Sequence, residues 1–437
     1  MSIYKNFEYR VYPTDEQKKW FEEHFEVNRF LYNHLLSMSI KKYNTEVDER
    51  FLRLIKDIDF YSEKIQQWTQ IDYEKLYKKA KKGVKIYSKN EFSKLITKAV
   101  NNPDFPWVNK SYDGRAMREV ATSVDTAYKN FFKGKDFPRF KKKYSVRTLR
   151  FPVSKQGEWY SIRFESDKIL VLPKKIKLRI VQHRPFEGEV IAATIKKAQS
   201  GKWFVTILSR VDPPTQLIKT GDIIALNRGV REYMIGYDSN HKLINYAPFV
   251  KDPTLISKIN KLHKKLSQKY KSAKQESRSL RDSKNYQKNK ESLARLYEKL
   301  KFQKEYYLQQ LSRKIIEDYD LIILESLSIK ELASSNIGEK VKSGERIVQR
   351  RFSKKIMGMS HYRLETLLKE KAELYGKRVV MLPKGFNSNG VCSECGTIFE
   401  ESIPLNNKEF ICPNCNIKIT RGENSVKNIL REGMKYL

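Results

Sequence analysis

The four cysteines of the chain fall into two pairs, Cys392-x2-Cys395 and Cys412-x2-Cys415, with 16 residues between the pairs. A CxxC turn bends so that both thiolates face one point, and two such turns offer four soft donors to one ion. The pattern predicts a tetrahedral structural Zn2+ site with no open position, which folds its segment and does no chemistry. Gly396 and Pro413 suit the two turns. Two disulfides are the alternative, and a chain kept in a reducing compartment does not form them. The other chemistry-bearing positions stand at the ends of apolar runs. Ile223-Ile224-Ala225-Leu226 leads into Asn227-Arg228, and Leu321-Ile322-Ile323-Leu324 leads into Glu325. Thr420-Arg421-Gly422-Glu423-Asn424-Ser425 opens the last helix. The six histidines form no ligand-spaced pair, and Gly385, Gly390 and Gly396 form no phosphate-binding loop.

The elements that must position these residues follow from periodicity. Residues 3–12 alternate as a strand, and Thr14 with Gln17 forms a capping box for a helix. Apolar residues Trp20, Phe21, Phe25, Leu31 and Leu35 recur at helical spacing. The stretch 41–100 reads as basic, Tyr-rich helix, broken at Asn101-Asn102-Pro103, and a further amphipathic helix spans Arg115–Phe132. Strands are expected near 147–153, 159–164, 168–172, 188–197 and 202–209, and short strands at this spacing predict a small barrel. Pro213-Pro214 is a linker. The Asn227 strand then takes a hairpin partner at Tyr233–Tyr237. Long helices over 257–304, the buried Glu325 strand, a loop with Ser334, Ser335 and Gly338, a helix at 357–375 and a strand at Arg378–Leu382 follow. The cysteine segment and a last helix over 423–435 complete the order.

Charge bounds the partner. Lys and Arg number 87 against 51 acids among 437 residues, a net +36, and 12% of residues are aromatic. A positive charge of this size implies a polyanion, and rings interleaved with cations suit stacked bases beside phosphates. Residues 257–304 hold 16 Lys/Arg and four acids, a local +12. No 18-residue apolar run exists, and Met1-Ser2-Ile3-Tyr4-Lys5 is not a signal peptide, so the expected compartment is the cytoplasm.

The motifs in order resemble a known family. Tyr9-Arg10-Val11-Tyr12-Pro13-Thr14, Arg29-Phe30-Leu31-Tyr32-Asn33, Tyr128-Lys129-Asn130-Phe131-Phe132, Phe137-Pro138-Arg139-Phe140-Lys141, Leu324-Glu325-Ser326-Leu327 and the double CxxC ahead of Arg421-x2-Asn424 are similar to TnpB. These are transposon-encoded RNA-guided nucleases related to compact type V CRISPR effectors. The resemblance covers nearly the whole length. It implies an α+β multidomain fold: a β-barrel wedge domain interrupted by a helical recognition lobe, then an RNase-H-like (RuvC) α/β domain with a four-cysteine zinc-ribbon insert. On this chain the implied layout is a first wedge strand at 1–12, a recognition lobe at 13–135 and the wedge barrel at 136–212. A degenerate RuvC-like domain at 218–385 carries the basic helices 257–304. The zinc ribbon lies at 386–416, and the final RuvC-like helix at 417–437.

The resemblance also implies three metal-binding acids, and Asn227, Glu325 and Gly422 occupy their positions. Two hard divalent cations need several anionic oxygens. Asn227 keeps an oxygen without the charge, Gly422 has no ligand, and Glu325 alone does not hold the pair, so Mg2+ is not expected. Arg228 is expected to repel cations there. Asp222 lies on the wrong side of its strand, and Glu423 is the one neighbour that could stand in. The expected protein is therefore a nuclease-dead TnpB-like repressor (TldR), nucleoid-associated in a bacterial cytoplasm. It would bind a guide RNA and double-stranded target DNA beside a short motif, and would block RNA polymerase. Phosphate contacts are expected at Lys141, Lys142, Lys143, Arg147, Arg350 and Arg351. The alternatives are an active RNA-guided endonuclease with an atypical metal site and an RNA-only accessory protein.

Overall fold

A computed structural model describes residues 2–59, 70–84, 86–143, 147–156, 159–229, 232–280, 283–326, 358–383, 385–399 and 409–436. The chain divides into two compact units, Met1–Asp212 and Pro213–Leu437. The positions Arg350, Arg351, Ser334, Ser335 and Gly338 lie outside the described residues.

In the first unit, strand β1 (Ile3–Tyr12) buries Phe7, Tyr9 and Val11 on one face. The expected capping box forms: Thr14 Oγ1 accepts from the Gln17 amide at 3.3 Å, and Gln17 Oε1 accepts from the Thr14 amide at 3.0 Å. It starts the long helix α1 (Asp15–Asp59), followed by α2 (Gln70–Ala80), α3 (Lys89–Val100) and α4 (Gly114–Phe132). Leu31, Leu35, Phe92, Ile96, Val120, Val124 and Tyr128 form one interhelical core. The helical part thus follows the 3.6-residue periodicity of its apolar residues.

The remaining strands of this unit are β2 (Thr148–Pro152), β3 (Lys155–Gln156), β4 (Trp159–Tyr160), β5 (Arg163–Ser166), β6 (Ile169–Leu172), β7 (Ile176–Val181), β8 (Glu189–Lys197) and β9 (Trp203–Val211). Seven of the nine strands pair antiparallel in the order β2-β8-β9-β1-β7-β6-β5, and β3-β4 forms a separate hairpin. The order ends at β2 and β5, which are not paired, so the sheet is open where a closed barrel was expected. It still wraps one core: Leu149 and Phe151 near one edge share it with Leu170 and Leu172 near the other. Phe21, Phe25 and Ala116 from the helices seal the same core. Strand β7 was absent from the sequence reading, because Lys177 and Arg179 on its exposed face mask a short alternation.

In the second unit, β10 (Ile223–Arg228), β11 (Met234–Asp238), β12 (Leu243–Tyr246), β13 (Leu321–Leu324) and β14 (Arg378–Met381) form a sheet in the order β12-β11-β10-β13-β14. The first three are antiparallel, while β13 and β14 run parallel to β10. Two helices, α5 (Pro253–Gln275) and α6 (Lys284–Asp318), make the crossover from β12 to β13. They extend the expected 257–304 stretch at both ends. Helix α7 (His361–Tyr375) precedes β14, the β15 (Glu409–Ile411) and β16 (Lys418–Thr420) hairpin lies among the cysteines, and α8 (Arg421–Gly433) ends the unit.

Strand alternation sorts the two sheet faces. Ile224, Leu226, Ile322 and Leu324 pack on α6 and α7 through Ile315, Leu364 and Leu368. Ala225, Ile235 and Ile323 pack on α8 through Val426 and Ile429. With helices on both faces, β13 (Leu-Ile-Ile-Leu) is apolar throughout and β10 is apolar up to Asn227 and Arg228 at its end.

Candidate metal centre and nucleic-acid interface

The four cysteine sulfurs lie within 4.8 Å of one another. Cys392 and Cys415 Sγ are 3.8 Å apart, and Cys395 and Cys412 Sγ 3.6 Å. Sulfurs about 2.3 Å from a central ion at tetrahedral corners would be about 3.8 Å apart, so the donor set fits such an ion. The two turns are built alike. Gly396 N donates to Cys392 O at 3.0 Å, and Asn416 N donates to Cys412 O at 2.9 Å. Each donor residue has positive φ, +76° for Gly396 and +54° for Asn416. Asn416, rather than Pro413, is thus the counterpart of Gly396; Asn is among the few side chains that tolerate this region.

Helix α8 holds the first cysteine turn. Asn424 Oδ1 accepts from Ser393 N at 2.7 Å, and its Nδ2 donates to Val391 O at 2.9 Å. One turn on, Asn428 Nδ2 donates to Val391 O at 2.7 Å and to Ser388 O at 3.0 Å. Of these two buried amides, the Arg421-x2-Asn424 motif contains only Asn424. Their spacing of four on one helix face is the signal that would have found them.

The three positions implied by the resemblance lie close to this anchor. Glu325 follows β13, and its Oε2 accepts from Ser388 Oγ at 3.1 Å; Ser388 Oγ in turn accepts from Ser425. Burial pushes the Glu325 carboxyl above its ordinary value, and Ser388, Arg228 and Arg421 offset this only in part. Asn227 stands on the α8 face of β10, and its Nδ2 reaches Gly422 O at 3.5 Å. Gly422 sits in the first turn of α8. A Cβ there would lie 2.3 Å from Ile235 Cδ1 and 2.8 Å from Glu232 Oε2. Among the described residues, no three carboxylates bring ligand oxygens within 4.8 Å of one another. Of the three positions only Glu325 offers a carboxylate, fewer than a pair of hard cations needs.

Two neighbours have partners of their own. Arg228, one residue further along β10, points to the opposite face from Asn227, yet its charge still acts on the Glu325 carboxyl, opposing the rise in pKa that burial causes. The Arg228 side chain is 1% exposed and pairs with Glu365 at 2.6 Å, while Nη2 donates to Glu325 O at 2.6 Å. It ties β10 to β13 and α7. Glu423 is also engaged: its amide caps onto Thr420 Oγ1 at 3.1 Å, and its carboxylate pairs with Lys427 at 3.0 Å. Asp222 is at the far end of β10, accepting from Asn240 Nδ2 at 2.9 Å.

In the first unit, two of the signature motifs meet. Asn33 Oδ1 accepts from Lys141 N at 2.8 Å, and Asn33 Nδ2 donates to Lys141 O at 3.0 Å. Lys141 Nζ lies 3.8 Å over the Tyr32 ring, and burial lowers its pKa. Its backbone is a docking point for α1, and its ammonium faces a ring instead of open solvent. Phe137 packs among Tyr43, Tyr128 and Phe131. Lys142 and Lys143 are exposed, and Arg147 is half-buried. Lys143 and Arg147 line a cavity of about 820 Å3 with Phe30, Trp107, Tyr112 and Lys197. On α5, Lys258, Lys261, Lys264 and Lys265 are all exposed. Tyr270 on α5, and Tyr297, Phe302 and Tyr306 on α6, expose large parts of their rings.

Comparison with known proteins bears on this arrangement. A model described as a helix-turn-helix domain of IS605 OrfB matches residues 1–47, which here form β1 and most of α1. A second, described as "Probable transposase" of the same group, matches 244–336, and a Cas12f1-like TNB domain model matches 361–429, from α7 to α8. The chain is similar to the TnpB/IS605 OrfB family over these segments. A "Putative RNA-guided DNA endonuclease" of Streptomyces pristinaespiralis is 21% identical over 433 residues, 99% of this chain and 90% of that protein. A "Putative RNA-guided DNA endonuclease InsQ" of Escherichia coli K12 is 24% identical over 357 residues, 81% of this chain and 83% of that protein. The cryo-EM structure of a Cas12f1–sgRNA–target DNA complex covers 98% of both chains at 13% identity with a TM-score of 0.44. The TnpB relationship rests on the sequence matches. No helix among the described residues is long and apolar enough to cross a membrane.

Proposed function

We propose that this TnpB relative is an RNA-guided DNA-binding protein that does not cut, a nuclease-dead TnpB-like repressor (TldR). The observation that carries the reading is position 422. The residue there has no side chain, and the space a side chain would need is taken by Ile235 and Glu232. With Asn227 uncharged and Glu325 bonded to Ser388, the three positions supply a single carboxylate toward a magnesium pair. The curated relatives are named for RNA guidance of a DNA endonuclease, and the +36 charge supports polyanionic partners. Guide pairing supplies the sequence reading, and the protein holds the heteroduplex and a short adjacent motif. Bound over a promoter in the bacterial nucleoid, it blocks RNA polymerase. The first unit serves as wedge and recognition lobe, and the second as the degenerate RuvC-like domain. Zn2+ occupies the four thiolates as a structural ion. Lys142, Lys143, Arg147, Arg350, Arg351 and the α5 lysines meet phosphates, while Lys141 positions its segment.

The test uses the complex purified with its own RNA. The RNA is sequenced, a matching duplex is made, and binding and cleavage are scored with magnesium at moderate salt. Guide-dependent binding with intact DNA is expected. Guide-dependent cutting, or the absence of co-purifying RNA, overturns the reading. One observation favours retained cleavage as a second reading: the Glu232 carboxylate lies beside Gly422, where a third acid would stand. On that reading, cutting disappears in both Glu325→Ala and Glu232→Ala.

A further inference from the structure

Position 422 shows more than a missing ligand. Ile235 is the register partner of Asn227 on the neighbouring antiparallel strand, so both side chains rise on the α8 face. Ile235 is 4% exposed and packs with Ala225, Ile323, Val426 and Ile429. Its terminal Cδ1 would lie 2.3 Å from a Cβ at 422 and its Cγ1 3.7 Å, so that methyl must turn into its own buried neighbours before a side chain fits there. The helix is seated as closely at its other end. Gly433 lies eleven residues on, three turns along the same face, and a Cβ there would lie 2.4 Å from Ile323 Cγ2. Helix α8 therefore rests on the sheet at both ends through a glycine, one over β11 and one over β13. The exposed Glu232 can swing aside, whereas Ile235 is held by its buried neighbours.

We infer that Ile235 is a plug: it fills the place of the third metal-binding side chain, so restoring acids at 227 and 422 does not rebuild a divalent-metal site unless Ile235 is also cut back. The inference rests on the proposed equivalence of Asn227, Glu325 and Gly422 with the family's metal-binding positions. It makes the loss of the site a property of packing as well as of ligand identity.

The test measures Mn2+ binding by electron paramagnetic resonance, and thermal melting, on the full-length protein. Mn2+ is a hard ion and competes poorly with zinc for thiolates. The variants are N227D/G422D, N227D/G422D/I235A, and the pair G422A and G422A/I235A. Asn227→Asp with Gly422→Asp alone should bind Mn2+ no more tightly than wild type. Adding Ile235→Ala should raise the affinity at least about tenfold, the gain expected from adding a ligand to a hard-cation site. The single-methyl change Gly422→Ala should lower the melting temperature in the Ile235 background and leave it nearly unchanged beside Ile235→Ala. Equal Mn2+ affinity with and without Ile235→Ala, or a Gly422→Ala protein as stable as wild type, overturns the plug. RNA content is scored on the same wild-type preparation: its absence would sink the guided-binding reading and leave the plug standing.

Discussion

Glu325 takes its hydrogen-bond partner from a distant segment of the chain. Its carboxylate accepts from Ser388, a residue of the segment leading to the first cysteine turn. Burial raises its pKa above the 4.5 of an unperturbed glutamate. A raised folded value means that the contribution to stability is fully present below pH 4.5. It is lost as pH rises through the folded value. Glu325→Gln keeps an oxygen for the Ser388 hydroxyl and sheds the charge. The variant should melt higher than wild type at pH 8, with the difference closing toward pH 4. A lower melting temperature at pH 8 would show that the charge is needed there. Arg228, the buried neighbour, holds the main chain of Glu325 from the far side of β10. Its role is to tie strand ends, which explains a charged residue inside an apolar strand.

At the scale of elements, α8 joins the cysteine segment to the sheet. Asn424 and Asn428 present two amides to backbone groups of residues 388–393, while Val426 and Ile429 pack on β10, β11 and β13. Losing Asn424 would strand the Ser393 N–H, since Val391 O keeps Asn428. Ser393 is part-buried, so the lost bond costs toward the low end of the about 1–3 kcal/mol of an unpaired buried donor. Asn424→Ala should therefore lower the melting temperature of the metal-loaded protein and speed metal release to a chelator. Unchanged release would mean that the four thiolates hold their turn without the helix. The Asn33–Lys141 clamp does the same for the first unit, joining α1 to the chain that leads into β2. Two signatures far apart in sequence are two halves of one hydrogen-bonded contact.

Over the whole molecule, 87 basic residues against 51 acids dictate a salt-dependent partner. Each phosphate contact contributes about 0.7–0.9 to the slope of log affinity against log salt. Replacing the exposed Lys258, Lys261, Lys264 and Lys265 by Gln should lower that slope for guide RNA or target DNA by roughly 3. A slope unchanged within error would show that α5 faces solvent in the complex.

The sequence by itself determined the two CxxC turns, the capping box at Thr14, the amphipathic helix ending at Phe132 and the apolar strands ending at Asn227 and Glu325, whereas the helical stretch expected over 41–100 breaks between Ala80 and Lys89. The features it determined rest on local spacing, and local spacing survives in a linear reading. It also exposed the charge, which needs no fold to be counted. Tertiary structure alone decided the rest. Strand β7 was hidden because a sheet with one exposed face can carry lysine and arginine at every second position. Whether seven strands close into a barrel depends on edges meeting in space, and here β2 and β5 remain apart. Arg228 and Glu423 were judged by their distance along the chain, whereas a strand reverses faces at each residue and a helix-borne lysine can claim a carboxylate. The Gly422 position reads in sequence as an absence. Only the packing of α8 on β11 shows that the absence is filled, because the volume around a missing side chain belongs to residues elsewhere in the chain.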